Sequence, residues 1–515
     1  MRLFNTILPC VIGLVLAGLP GLALAEPASE TVPQVRHPFG LAATPADLAS
    51  RPMRPGEKLV QVDHAALGST TAGDLIDMNG LLAGAMATIE RVEEHRSGSY
   101  SLFGRVNADP DSLVVICVHE DAVVGVFQQP LSGINYRMRV APDGLQTIYP
   151  VTPGAERCGT GDGPVQNGAP AVELQPEIVD DPGDAGDGET QPRGGCSAPA
   201  RRFDLLMYYT VAAANVNGGS SAAVALCQLG VSLANQAYAD SGVSARLFLL
   251  DARQTSYTES GTLETDRDRL KDPNDGILDS VHAARDALGA DMVCLMVTES
   301  DPVSGGIAYC TPNESQGFCV VEEDNIDDGV QVLAHEVGHL QGCAHNHGDA
   351  GSGCNEFCYS FGHRFTGLSG QGWRTIMSYD DGGSNFPNVV PRFSNPGQNW
   401  DGFSLGVDTS PCGVFPSNDD ADNARSIDNN AASVEAFRAP AIEVWVDNSY
   451  SGTELGTWWN PWSTLNSGIT AIYGDSNEPL LTPTLKVKAN TYTATPRITK
   501  VMRIEACGGT VRIGG

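Results

Sequence analysis

Positive charge is scarce in this 515-residue chain: 31 Lys and Arg stand against 62 Asp and Glu, a formal charge of -31. Such a surplus repels phosphate backbones and anionic lipid headgroups, and it excludes nucleic acid as an expected partner. Long apolar runs are also missing. Beyond the N-terminus no segment approaches the roughly 20 apolar residues needed to cross a bilayer, so no membrane anchor is expected once a leader is removed. Charged residues make up only 18% and hydrophobic ones 41%, a balance that excludes a mostly disordered chain or a bare coiled coil. At about 150 residues per domain the length corresponds to three or so units. The 58 Gly and 32 Pro predict many turns and long connections.

The N-terminus reads as an export signal over residues 1–25. Arg2 supplies the positive end, Ile7 to Leu16 is almost wholly apolar, and Ala23-Leu24-Ala25 offers the small residues of a cleavage site. The mature chain is therefore expected to be secreted, with the periplasm the less favoured address. Without Cys10 the 13 cysteines become 12, an even number in an oxidising compartment, so disulfides are expected for most of them. The spacings Cys310/Cys319 and Cys354/Cys358 suggest short stapled loops, although connectivity does not follow from sequence.

From residue 26 to 158 short β-like runs recur, including Lys58 to Val62, Tyr100 to Val106, Ser112 to His119 and Ala122 to Gln128. Residues 159–200 change to Gly, Pro, Asp and Glu and read as an acidic linker open to proteolysis. Residues 201–439 then alternate. Strands are predicted at Asp204 to Thr210, Arg246 to Tyr257 and Ala290 to Thr298. Helices are predicted at Ala222 to Ser241, Ile277 to Leu288, Val330 to Leu340 and Ala421 to Arg438. That order predicts an α/β (α+β) unit, a mixed sheet flanked by helices. Residues 440–515 hold four of the six tryptophans and read as a small β-rich module.

The decisive string is His335-Glu336-Val337-Gly338-His339-Leu340-Gln341-Gly342-Cys343-Ala344-His345. Histidines four apart share one helix face and can present nitrogens to one metal ion, with Glu336 beside them. Gly342 permits the sharp turn that brings His345 in as third ligand. Three neutral imidazoles suit a catalytic Zn2+ with one position left for water, and Glu336 then serves as general base and acid. The implied chemistry is hydrolysis of peptide bonds in a protein or peptide substrate. His347 breaks the spacing and is read as lying outside the ligand set.

This string resembles the zinc signature of the metzincin metalloproteases, and Thr375-Ile376-Met377-Ser378-Tyr379 resembles their Met-turn. The resemblance implies that Met377 forms an apolar floor under the histidines. It implies that Tyr379 either binds the metal or stabilises the oxyanion, or is a structural neighbour. Asp204 to Tyr209, Ala234 to Tyr238, Gly305 to Tyr309 and Arg392 to Pro396 resemble the bacterial peptidyl-Asp metalloendopeptidases and related reprolysin-like enzymes. By the same resemblance Gly306, Ile307 and Ala308 form the edge strand along which an extended substrate lies antiparallel. Asn346 departs from the Asp that reprolysins commonly place after the third histidine.

Residues 26–158 are then expected to be a propeptide, the chain's own partner. Arg157-Cys158-Gly159 resembles a cysteine switch in which the Cys158 thiolate occupies the metal's open position. A Cys117 to Cys158 disulfide is the alternative. The C-terminal module resembles the opening segment of a right-handed parallel β-helix. The run Asp272 to Asp279 admits Ca2+ but lacks the full EF-hand spacing. A rival overall reading is a secreted adhesin or carbohydrate-binding protein with a vestigial metal site.

Overall fold

The computed structural model describes residues 33–514 apart from 43–50, 79–80, 83, 152–156, 159–196, 299–303, 311, 351–354, 382–384, 410–418 and 475–481. The expected signal peptide and nearly all of the expected linker lie outside the described residues. No helix among the described residues is long and apolar enough to cross a membrane.

Ten strands build the N-terminal sheet: β1 (Val35–Arg36), β2 (Phe39–Leu41), β3 (Lys58–Val62), β4 (Leu75–Asp77), β5 (Met86–Glu94), β6 (Tyr100–Val106), β7 (Leu113–His119), β8 (Ala122–Gln129), β9 (Ile134–Val140) and β10 (Gln146–Pro150). Their spatial order is β1-β4-β5-β6-β7-β8-β9-β10-β3-β2. In β7 the side chains alternate between two cores. Val114, Ile116 and Val118 join Leu67 and Phe127 on one face, while Leu113, Val115 and Cys117 face the other way into a core shared with the rest of the molecule. A strand apolar at every position is what burial on both faces requires.

The second sheet has six strands: β11 (Arg157–Cys158), β12 (Arg202–Thr210), β13 (Arg246–Thr255), β14 (Met292–Val297), β15 (Ser304–Ala308) and β16 (Phe318–Glu322). They lie in the order β11-β15-β16-β14-β12-β13. Strands β12, β13, β14 and β16 run parallel, and β15 runs antiparallel to β16. The helices among the described residues are α1 (His64–Gly68), α2 (Val211–Val216), α3 (Ser220–Ser241), α4 (Leu263–Lys271), α5 (Ser280–Leu288), α6 (Val332–Leu340), α7 (Asn423–Val434) and α8 (Leu465–Ala471). Helix α3 packs between the two sheets, against β7 and β8 on one side and β13 on the other. That position explains why it is buried nearly all round.

Helix α5 begins three residues later than its predicted start, because Asp272 and Asp275 accept backbone N–H groups two residues on and hold the preceding run in turns. Helix α4 escapes the pattern reading since its sequence is dominated by charge. In the C-terminal segment, strands Glu443–Val446, Thr484–Lys488 and Arg503–Cys507 stack in parallel. Trp445 is buried edge-on to Trp458.

The expectation that most cysteines pair is corrected here. Cys117, Cys227, Cys294, Cys319 and Cys343 are free and buried, while Cys310, Cys358 and Cys507 are disulfide-bonded. Cys319 is therefore no partner for Cys310, nor Cys117 for Cys158. The five free thiols all sit in the shared core as small apolar side chains. Burial pushes the Cys117 and Cys227 thiols up to about 12, which keeps them protonated and inert.

Candidate metal centre and active site

Helix α6 starts from Gln331, whose φ of 59° breaks the backbone direction out of the preceding loop. Every residue of the helix is buried. Four-residue spacing sets His335 and His339 one turn apart, and Gly342 at φ 90° reverses the chain behind them. A Cβ there would fall 2.5 Å from Asn430 Nδ2, so the turn requires glycine. His345 is thereby brought back onto the helix.

The three Nε2 atoms converge, with separations of 3.2 Å (His335–His339), 3.1 Å (His335–His345) and 3.0 Å (His339–His345). Each Nδ1 faces a backbone carbonyl instead: Ile376 at 2.7 Å, Cys343 at 2.8 Å and Asp349 at 3.3 Å. Nδ1–H donation fixes the tautomer and leaves the Nε2 lone pairs pointing at one another. Burial, followed by the mutual repulsion of the rings, holds His335 and His345 well below the ordinary imidazole range. Burial alone pushes His339 down to about 4. Three neutral donors aimed at a common point fit a metal ion. Their separations approach the roughly 3.3 Å expected between imidazole nitrogens about 2.0 Å from a tetrahedral zinc. Among the described residues this is the one group of three or more His, Cys, Asp or Glu positioned to hold a metal.

Glu336 is fully buried beside the triad. A Cβ at Gly306 would meet its Oε1 at 2.7 Å, so the carboxylate lies directly against the β15 backbone. Beneath the helix, Met377 Sδ is 2.8 Å from where a Gly338 Cβ would stand. Met377 is completely buried. The Tyr379 ring lies 4.0 Å from the His345 ring, centroid to centroid, and 6.1 Å from that of His335. His347 turns away, stacking on Phe361 and contacting the Asp420 carbonyl at 2.8 Å.

Residues Gly306, Ile307 and Ala308 pair with β16 on one side. On the other, the backbone of Arg157–Cys158 pairs with β15 in the parallel sense, Cys158 opposite Gly306. The Cys158 side chain lies outside what is described. Asn346 has a part that sequence reasoning did not find. Its Nδ2 donates to Asp349 and its Oδ1 accepts from the Tyr379 backbone N–H at 3.1 Å, tying the third histidine's segment to the Met377 turn. Its only signal in the sequence was its departure from the reprolysin pattern.

Known proteins are similar to the part of the chain that carries this site. Residues 199–392 match the Reprolysin_5 model of metallo-peptidase family M12. Over this central segment the chain is similar to the metallo-peptidases of that family. A peptidyl-Asp metalloendopeptidase of Stenotrophomonas maltophilia (strain R551-3) is 34% identical over 49% of this chain and 55% of its own length. A peptidyl-Asp metalloendopeptidase of Xanthomonas campestris pv. campestris is 28% identical over 83% of this chain and 98% of that one. The chain thus spans about half the length of the Stenotrophomonas relative. A solved metalloproteinase-II from Bacteroides fragilis superposes with a TM-score of 0.35 at 10% identity, over 64% of this chain and 91% of that one. That match is too loose to bear on the fold.

Proposed function

We propose that this chain is a secreted zinc endopeptidase made as a zymogen, with a signal at 1–25, a propeptide at 26–158, a linker at 159–200, a protease domain at 201–439 and a β-rich module at 440–515. The observation that carries the reading is the convergence of three neutral imidazoles beside a buried carboxylate, against a strand that offers backbone pairing. Held by His335, His339 and His345, a zinc ion would lower the pKa of a water and polarise the scissile carbonyl. Glu336 takes the proton of the attacking water and returns it to the leaving amine nitrogen. Gly306, Ile307 and Ala308 hold an extended peptide antiparallel through main-chain hydrogen bonds. Tyr379, beside the third histidine, stabilises developing charge on the carbonyl oxygen.

Latency follows from β11. While its backbone pairs with β15, the edge a substrate needs is taken by a segment running in the opposite sense to an antiparallel peptide. The Cys158 thiolate is proposed to complete the block at the metal. The test is hydrolysis of an unbiased peptide library by processed protein, with zinc content measured alongside and Glu336→Gln as control. We expect cleavage by the wild type and a fall of about 10²- to 10⁴-fold in the variant with zinc retained. Zinc binding without hydrolysis by either protein, together with glycan binding, would transfer the reading to a carbohydrate-binding protein.

A further inference from the structure

The face of the N-terminal sheet turned toward α3 is not a cover laid on a finished surface. Phe103, Val115, Cys117, Val124 and Val126 belong to the same continuous core as α3, α6 and Met377. Each piece taken alone exposes a large apolar face, the property of an obligate interface rather than of a removable lid.

The polar contacts across this seam lead to the metal centre. Arg139 on β9 donates from Nε to Asp327 Oδ2 at 2.8 Å and from Nη2 to Asp327 Oδ1 at 2.5 Å. Its Nη1 reaches Glu323 Oε2 at 2.8 Å and Asn217 Oδ1 at 2.7 Å. Arg137 pairs with Asp324 at 2.6 Å and with Asp327 at 3.2 Å. Asn135 donates to the Asp328 carbonyl at 3.0 Å. The Asp327 carboxylate has no solvent exposure, and its counter-charges come from a strand almost 190 residues earlier. The loop it belongs to joins β16 to α6. On the way Asn325 packs so closely over Gly305 that a Cβ there would fall 2.4 Å from its Nδ2. The Arg137–Arg139 pair therefore sets the loop that positions both the edge strand and the triad helix. By contrast, β11 is held to β15 by two residues.

We propose that the N-terminal sheet remains bound as a permanent half of the molecule after the 159–200 linker is cut, and that activation displaces only the β11 strand. The mature protein is then a non-covalent pair of fragments, with Arg137 and Arg139 clamping the entry to α6. The inference rests on reading residues 26–158 as the propeptide of a peptidase. Its test uses fragment association and zinc content, neither of which depends on hydrolysis, so the two readings fail separately.

A recognition sequence for a site-specific protease is inserted between Asp184 and Ala185 of the full chain, and the purified protein is cut to completion. Size-exclusion chromatography and native mass spectrometry are expected to show the two fragments eluting together, one to one, with zinc content unchanged. They separate only in denaturant. Elution of the N-terminal fragment alone, leaving a soluble, zinc-loaded C-terminal fragment, overturns the proposal. In the cut protein, Arg139→Met is expected to weaken fragment association by at least 100-fold. If that variant does not fold, Arg137→Met serves in its place with a smaller loss of about tenfold, and association unchanged by either substitution removes the clamp.

Discussion

Two clusters of buried polar side chains among the described residues differ in kind: helix α6 with His345, and the seam between β9 and the 323–328 loop. In the first, the groups come from eleven consecutive residues, His335 to His345, and their like atoms face one another at 3.0–3.2 Å. At the seam Arg137 and Arg139 have their acids, Glu323, Asp324 and Asp327, within 3.2 Å, across 184 to 190 residues of chain. A cluster of lone pairs lacking any donor between them asks for a cation from outside. A cluster already neutralised asks for nothing, and its purpose is to join what it spans.

Substitutions can separate these two kinds of burial. The largest expected effect is that of His339→Ala, which removes one of three donors. Metal content and peptide hydrolysis should both fall to background while far-UV circular dichroism stays native, and retention of stoichiometric zinc would argue against the triad. Next comes Asp327→Ala, which leaves Arg139 and Arg137 buried beside one another without their shared acid. We expect a loss of about 3–5 kcal/mol in denaturant unfolding. An unchanged midpoint would mean that the seam contributes no stability.

Gly338→Ala lies between the two in character, being a packing change inside the metal helix. The added methyl meets Met377 Sδ at 2.8 Å and Phe393 Cε1 at 3.1 Å, for an expected cost of about 1–3 kcal/mol and faster zinc loss to a chelator. Identical chelation kinetics would show that the helix does not lean on Met377. The smallest effect concerns pH. Burial, and then the neighbouring Asp204, raise the Asp291 carboxyl well above its ordinary value. The folded state therefore binds that proton more tightly than the unfolded chain, and stability declines as pH rises from about 4, the ordinary carboxylate range, toward neutrality. Asp291→Asn should flatten part of that decline in unfolding midpoints measured across the interval. An unchanged slope would assign the dependence elsewhere.

Much of the architecture was legible because it is local. The strands at Lys58 to Val62, Tyr100 to Val106 and Ala290 to Thr298, and helix Ala222 to Ser241, fell within a few residues of their predicted bounds. Their apolar periodicity and bounding glycines act over a few turns of chain. The clustering of His335, His339 and His345 was legible for the same reason, since i, i+4 spacing and a glycine turn specify where three imidazoles go. Cysteine pairing was not. A thiol that fills a core position and one that forms a disulfide look identical in sequence, and only the geometry of the shared core separates Cys117 and Cys319 from Cys310 and Cys358. Asn346 was read only as a deviation because its partner Tyr379 lies 33 residues on, in the turn after Met377.

By itself, then, the sequence determined the convergence of the three histidines and most secondary structure, because both depend on contacts between residues a few positions apart. It also held one unread sign of the assembly. Leu113 to Val118 is apolar at every position, which an antiparallel strand with one wet face would not be. What buries its second face, which carboxylates neutralise Arg137 and Arg139, and which segment lies along Gly306 to Ala308 were decided only by the tertiary structure. Those contacts join residues more than a hundred positions apart, and their pairing is set by the packing of whole sheets against α3 rather than by any pattern a short stretch of chain can carry.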